Sequence, residues 1–145
     1  MVTNQNKHKK ILVDSSFLYA LLNPREAKHE NAMKFVQTSQ AIQVIPDVVL
    51  TEVAFLFNRF GGTRAVIVFL ESLEAAQPEL EPVILADIKL AREIMLKYPG
   101  AKLDFVDCSI MALAGRLEIT QICTFDRRDF SIYRPDEGNA LELLP

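Results

Sequence analysis

Short apolar runs rich in β-branched residues recur along this chain at 10–13, 42–45, 80–83 and 121–125, and more weakly at 140–144. Segments of helical character fill the intervals at 17–22, 26–38, 48–60, 63–75 and 105–117, and breakers stand between them at Asn23-Pro24, Gly61-Gly62 and Gln77-Pro78. A further helix is marked by Ile84, Ile88, Ala91 and Met95 at helical spacing, with Asp87, Lys89, Arg92, Glu93 and Lys97 mostly on other faces and Tyr98-Pro99-Gly100 as its stop. Strands that read as continuous apolar runs must be covered on both faces, and neighbouring parallel strands need a crossover helix between them. The alternation therefore predicts an α/β chain, a three-layer α/β/α sandwich with a mainly parallel central sheet.

A chain of 145 residues, half of them apolar, suits a single domain over 1–145, with residues 1–8 expected as a mobile basic tail. The longest stretch free of charge, 35–46, is 12 residues, short of the roughly 20 that cross a bilayer, so no transmembrane helix and no membrane partner is predicted. Lys7-His8-Lys9-Lys10 and the apolar residues after it superficially resemble an export signal, but Asp14 interrupts them and no small-residue cleavage site follows; the expected location is cytoplasmic. Cys108 and Cys123 lie in apolar sequence without metal-ligand spacing and read as small buried hydrophobes. A net charge of −3 argues against coating nucleic acid through bulk charge. Any such contact must be local, and the candidates are Lys7 with Lys9 and Lys10, Arg59 with Arg64, and Arg127 with Arg128.

In open parallel sheets, sites gather outside the carboxyl ends of the strands. At those places this sequence sets carboxylates in apolar surroundings. Asp14 follows Ile11-Leu12-Val13 directly; taken alone it also suits a helix N-cap. Glu52 has Val48, Val49, Phe55 and Leu56 three and four positions away, which puts it on the apolar stripe of its helix. Asp107 opens a helix whose interior, 108–114, is nearly all apolar, while Asp104 suits the N-cap of that helix. Asp126 follows the strand at 121–125, where turn formation or, with Asp129, capping of a short helix is the alternative role. Converging, these acids would repel one another unless a cation joined them, and oxygen-only ligands suit Mg2+ or Mn2+. His8 and His29 are the only histidines, and neither is placed for a zinc site or a His-dependent nucleophile, so catalysis through Ser15 or Cys108 is not expected. Ser15 and Ser16 read as helix caps or supports for the carboxylates, and Gly61-Gly62 as a turn.

Four segments together resemble the PIN-domain ribonucleases, in particular toxins of the VapC type: Ile11-Leu12-Val13-Asp14-Ser15-Ser16, Thr51-Glu52-Val53, Phe105-Val106-Asp107-Cys108-Ser109-Ile110, and Thr124-Phe125-Asp126-Arg127-Arg128-Asp129-Phe130. The resemblance spans nearly the whole chain. It implies that Asp14, Glu52, Asp107 and Asp126 hold one or two Mg2+ or Mn2+ ions, with Thr124 and Ser15 as supporting hydroxyls. Asp14 and Asp107 would bind the main metal, Glu52 would serve metal or water positioning, and Asp126 would serve a second, weaker metal. Cys108 stands where the family more often has Ala, and Asp104 where Ser, Thr or Gly is commoner; neither departure removes a ligand. It further implies endonucleolytic cleavage of RNA, commonly leaving a 3′ hydroxyl and a 5′ phosphate, and in toxins control by a small cognate antitoxin protein. Apolar excess at 53–57 and 65–70, with the family's habit, makes a homodimer the expected assembly.

Two other classes compete with the nuclease. A noncatalytic PIN-like module would bind RNA or protein and use the acids only as caps and turns. An acid-rich metal-dependent phosphatase of the haloacid dehalogenase kind needs an Asp two residues after its nucleophilic one, where Ser16 stands here.

Overall fold

The computed structural model describes residues 8–135 and 140–145. The expected basic tail, apart from His8, lies outside them. Strands β1 (Lys10–Val13), β2 (Ile42–Pro46), β3 (Glu79–Glu81), β4 (Gln121–Cys123) and β5 (Glu142–Leu144) form one sheet in the order β3-β2-β1-β4-β5. Every pairing is parallel, with Leu12 opposite Val44 on one side and Ile122 on the other. The helices are α1 (Ser15–Leu22), α2 (His29–Thr38), α3 (Asp47–Ala76), α4 (Leu85–Lys97), α5 (Phe105–Leu117) and α6 (Arg128–Ile132). From β1 the chain winds through β2 to β3 on one side, then crosses back to β4 and β5 on the other. With right-handed crossovers, α1 to α3 cover one face and α4 to α6 the opposite one. The contacts agree: α1 packs on α2 and α3, and α5 on α4 and α6. This is the predicted three-layer sandwich, and its topological switch point lies between the carboxyl ends of β1 and β4.

The central strands and α5 carry the core. Ile11, Leu12, Val13 and Ile122 are buried, and so is every residue from Cys108 to Ala114, as the all-round apolar character of that helix requires. Several boundaries differ from the sequence reading. α1 begins at Ser15, two residues before the expected start, and α2 only at His29, because Asn23 holds residues 23–26 in a turn through bonds from the amides of Arg25 and Glu26.

α3 reverses within its span. Gly62 sits at φ 67°, ψ −168°, a conformation essentially confined to glycine. The Phe57 and Phe69 rings stack with centroids 5.3 Å apart, although 12 positions of straight helix would separate them by about 18 Å. By length and composition α3 could cross a bilayer. The reversal leaves limbs of about 22 Å or less, shorter than the roughly 30 Å hydrocarbon core.

α4 buries only part of its expected apolar stripe. Ala91 and Met95 pack on the core, Ile84 and Ile88 stay exposed, and Asp87 and Ile94 point inward in their place. Asp87 is 2% exposed and receives two bonds from the Arg116 guanidinium of α5, from Nε at 2.9 Å and Nη2 at 3.0 Å, while Glu81 adds a contact to Nη1 at 3.2 Å. The two-pronged ion pair between packed helices satisfies the buried Asp87 carboxylate on the inward face. Removing the cation alone strands a buried carboxylate, so Arg116→Met is expected to cost about 3 kcal/mol of stability, read from the urea midpoint. An unmoved midpoint would contradict that account of α4.

Candidate active site

Asp14 occupies the cap position of α1, yet its carboxylate does not cap the helix. It is 3% exposed, and Oδ2 accepts hydrogen bonds from the hydroxyls of Thr124 (2.7 Å) and Ser16 (3.0 Å). Ser16 Oγ in turn accepts the amides of Phe125 (3.0 Å) and Asp126 (3.2 Å), and Thr124 Oγ1 accepts that of Asp126 (3.0 Å). This net ties the ends of β1 and β4 together at the switch point.

Glu52 stands half-buried on the second turn of α3, Asp107 in the first turn of α5, and Asp126, exposed, just after β4. With Asp14, these residues line one cleft of about 230 Å³, together with Ser16, Asp104, Asp129 and Arg128. All four acids singled out in the sequence thus meet. Asp104 caps α5 as expected, accepting the amides of Val106 at 2.7 Å and Asp107 at 3.3 Å.

One reading is divided and one is corrected. Of the two serines expected to support the carboxylates, Ser16 bridges Asp14 to the end of β4, while Ser15 Oγ is buried beside Glu52 and lowers its pKa. Neither Asp126 nor Asp129 caps α6, whose cap position is Arg127. Asp129 instead turns into the cleft, where it accepts the Asp104 amide at 3.3 Å. Sequence reasoning passed over Asp129 as a site residue; its place in the acid-bearing segment directly after the strand, three positions beyond Asp126, was the available signal.

The cleft holds six carboxylates against one guanidinium. Arg128 is committed to Asp129 Oδ1 at 2.7 Å and the Ala101 carbonyl at 2.7 Å. Burial raises the pKa of Asp14, only partly offset by its two hydroxyl donors. Burial also raises Glu52, to which the charges of Asp104, Asp14 and Asp126 add. Asp107 is pushed up to about 9, by burial first, then by the Asp14 charge and a hydrogen bond with Asp129. Such a cleft is under-compensated for positive charge.

A hard divalent cation fits this donor set. The acidic ligands are oxygen-only, no imidazole lines the cleft, and His29 is engaged by the Ala20 carbonyl at 2.8 Å. Among the described residues no three acids stand at coordination spacing, so the side chains would have to close around an ion. Cys108 and Cys123, buried and pushed up to about 11 and 12 chiefly by burial, stay thiols and offer no nucleophile.

Residues 11–135 match the family model of the PIN domain. The chain belongs to the PIN-domain family. It is 28% identical over 135 residues to "Ribonuclease VapC26" of Mycobacterium tuberculosis, a match covering 93% of this chain and all of that protein. Among solved structures, Mycobacterium tuberculosis VapC20, described as a sarcin-ricin loop cleaving toxin, superposes with a TM-score of 0.77 at 23% identity over 88% of this chain and 98% of that one. A toxin-antitoxin complex from Klebsiella pneumoniae gives 0.63 at 16% identity, over 84% and 91%. At those identities the structural likeness carries the PIN fold alone.

Proposed function

We propose that this PIN domain is an endoribonuclease dependent on Mg2+ or Mn2+ and the toxin of a toxin-antitoxin pair in the cytoplasm. The observation that carries the reading is the meeting of Asp14, Glu52, Asp107 and Asp126, with Asp104 and Asp129, in one cleft whose charges are left uncompensated. Asp14 and Asp107 would hold the main ion, Glu52 would position it or its water, and Asp126 would serve a second, weaker ion. The chemistry a divalent ion supplies in such a site is a lowered pKa for bound water and offset of charge on the phosphate. The chain's own residues prepare the ground for it. Thr124 and Ser16 orient Asp14, Asp104 seats the first turn of α5 under Asp107, and Arg128 holds Asp129 in place. Kinship to a protein named ribonuclease supports RNA as substrate.

The partner surfaces follow from α3. Phe55, Ile67 and Leu70 are exposed on its two limbs, large apolar side chains left without cover. We assign this surface to a homodimer. The neighbouring groove lined by Tyr19, Phe57, Phe60, Arg64 and Val68 is assigned to the apolar side of an antitoxin segment. Toxin-antitoxin complexes among the structural neighbours favour that occupant.

The test is direct. Purified protein is expected to cut RNA internally with Mg2+ or Mn2+, to stop on chelation, and to release no phosphate from small esters. Phosphate release without RNA cleavage would favour a phosphatase, and neither activity a binding module. Growth arrest on expression, relieved by a small DNA-binding protein encoded next door, would establish the toxin role.

A further inference from the structure

The Phe125-Asp126-Arg127 segment separates two concavities: Asp126 lines the acidic cleft, while Phe125 and Arg127 line a second cavity of about 440 Å³ with Lys28 and Lys34 of the α2 region. No Asp or Glu side chain lines this second cavity, and among the described residues neither lysine forms an ion pair, whereas the Arg127 guanidinium is engaged by the Pro145 backbone oxygen. Lysines on a helix surface are ordinarily dispersed and solvated. Here two of them face a common cavity with an arginine, in a chain whose net charge is −3.

The aromatic member is held in place. Phe125 stacks on the fully buried Phe17, with centroids 5.6 Å apart and planes at 22°, and its amide donates to Ser16 Oγ, the hydroxyl that also bonds Asp14. The Lys28 ammonium lies 6.0 Å from the Phe125 centroid. With Phe17 stacked on it and the Lys28 ammonium over it, the Phe125 ring backs a cavity whose two lysines, beside the acidic cleft, have the composition of a phosphate-binding site for a single strand.

Resting on the ribonuclease reading above, we infer that Lys28 and Lys34, set against Phe125, form a subsite for the backbone of single-stranded RNA beside the scissile phosphate. The two lysines take the backbone phosphates, and Phe125 holds Lys28 in place.

The test begins with Asp107→Asn protein, which cannot cut, and a labelled single-stranded oligoribonucleotide followed by fluorescence anisotropy. Adding Lys28→Gln with Lys34→Gln should weaken binding about tenfold at low salt and reduce the salt slope of log Kd by about 1.4, for two lost phosphate contacts. In protein with native Asp107, the lysine pair should raise KM on the oligomer, with kcat and cleavage of a dinucleotide unchanged. Unaltered Kd and slope in the lysine variant overturn the subsite, as does a starting protein that binds acidic peptide but not the oligomer. Binding that falls as expected in a protein that cuts no RNA sinks the nuclease reading and leaves the subsite. Cleavage with unaltered KM and slope does the reverse.

Discussion

Asp107→Asn is expected to abolish RNA cleavage, by about a thousandfold or more, while making the metal-free protein more stable. The first half follows from the loss of an ion ligand. Several kcal/mol of transition-state stabilisation go with the ion, and each 1.36 kcal/mol is a factor of ten in rate. The second half follows from the cleft itself. Asp107 is charged only against burial and against Asp14, Asp104 and Asp129, so the neutral amide relieves all of these at once. A gain of about 1 kcal/mol would raise the melting midpoint by roughly 2–4 °C in a domain of this size. Were Asp107 merely a favourable charge in the first turn of α5, its removal would instead cost about 0.3–1 kcal/mol. Asp14→Asn should be equally inactive but nearly unchanged in stability, since an amide oxygen still accepts from Thr124 and Ser16. Cleavage assays beside thermal melts in chelator decide the matter: retained cleavage, or a lowered midpoint for Asp107→Asn, contradicts the assignment.

Without metal, stability should fall as pH rises from about 5 to about 9, and Mg2+ should restore it most at the alkaline end. Asp14, Glu52 and Asp107 all have folded pKa values above their ordinary 3.8 to 4.5. Between that range and the raised values the folded protein binds more protons than the unfolded chain, so the slope of stability against pH is negative there. Their contribution is fully present below pH 4 and is lost as the pH rises through the folded values. A cation replaces those protons and competes better as they become scarce. At a hundred times its dissociation constant it adds about 2.7 kcal/mol. Melting curves at pH 6 and pH 8, each with chelator and with Mg2+, should therefore differ by more at pH 8. A metal-free midpoint that rises with pH, or one indifferent to Mg2+ at both values, would rule out the crowded-carboxylate account.

The acids were readable because each occupies a local position with a meaning of its own. Asp14 directly follows an apolar strand, Glu52 interrupts an apolar stripe, and Asp107 opens an all-apolar helix. The short-range pattern carried less elsewhere. The stripe expected on α4 held at Ala91 and Met95 but not at Ile84 and Ile88, and it left out Asp87, because periodicity registers hydrophobicity and takes no account of a guanidinium arriving from another helix. Ser15 and Ser16 are indistinguishable by type and position. Only the arrival of Thr124, 108 residues beyond Ser16, makes Ser16 the bridging hydroxyl.

The alternation of strands and helices, a mainly parallel sheet, the turn at Gly61-Gly62 and the acids at strand ends and helix starts were determined by the sequence alone, since apolar periodicity and breaker residues act over a few positions. The pairing of Asp87 with Arg116, the inward turn of Asp129, the stacking of Phe57 on Phe69, and the gathering of Lys28 and Lys34 beside Arg127 were decided only in the tertiary structure. Each depends on groups remote in the chain meeting at hydrogen-bond or van der Waals range, where burial and charge select among arrangements that local spacing leaves equal.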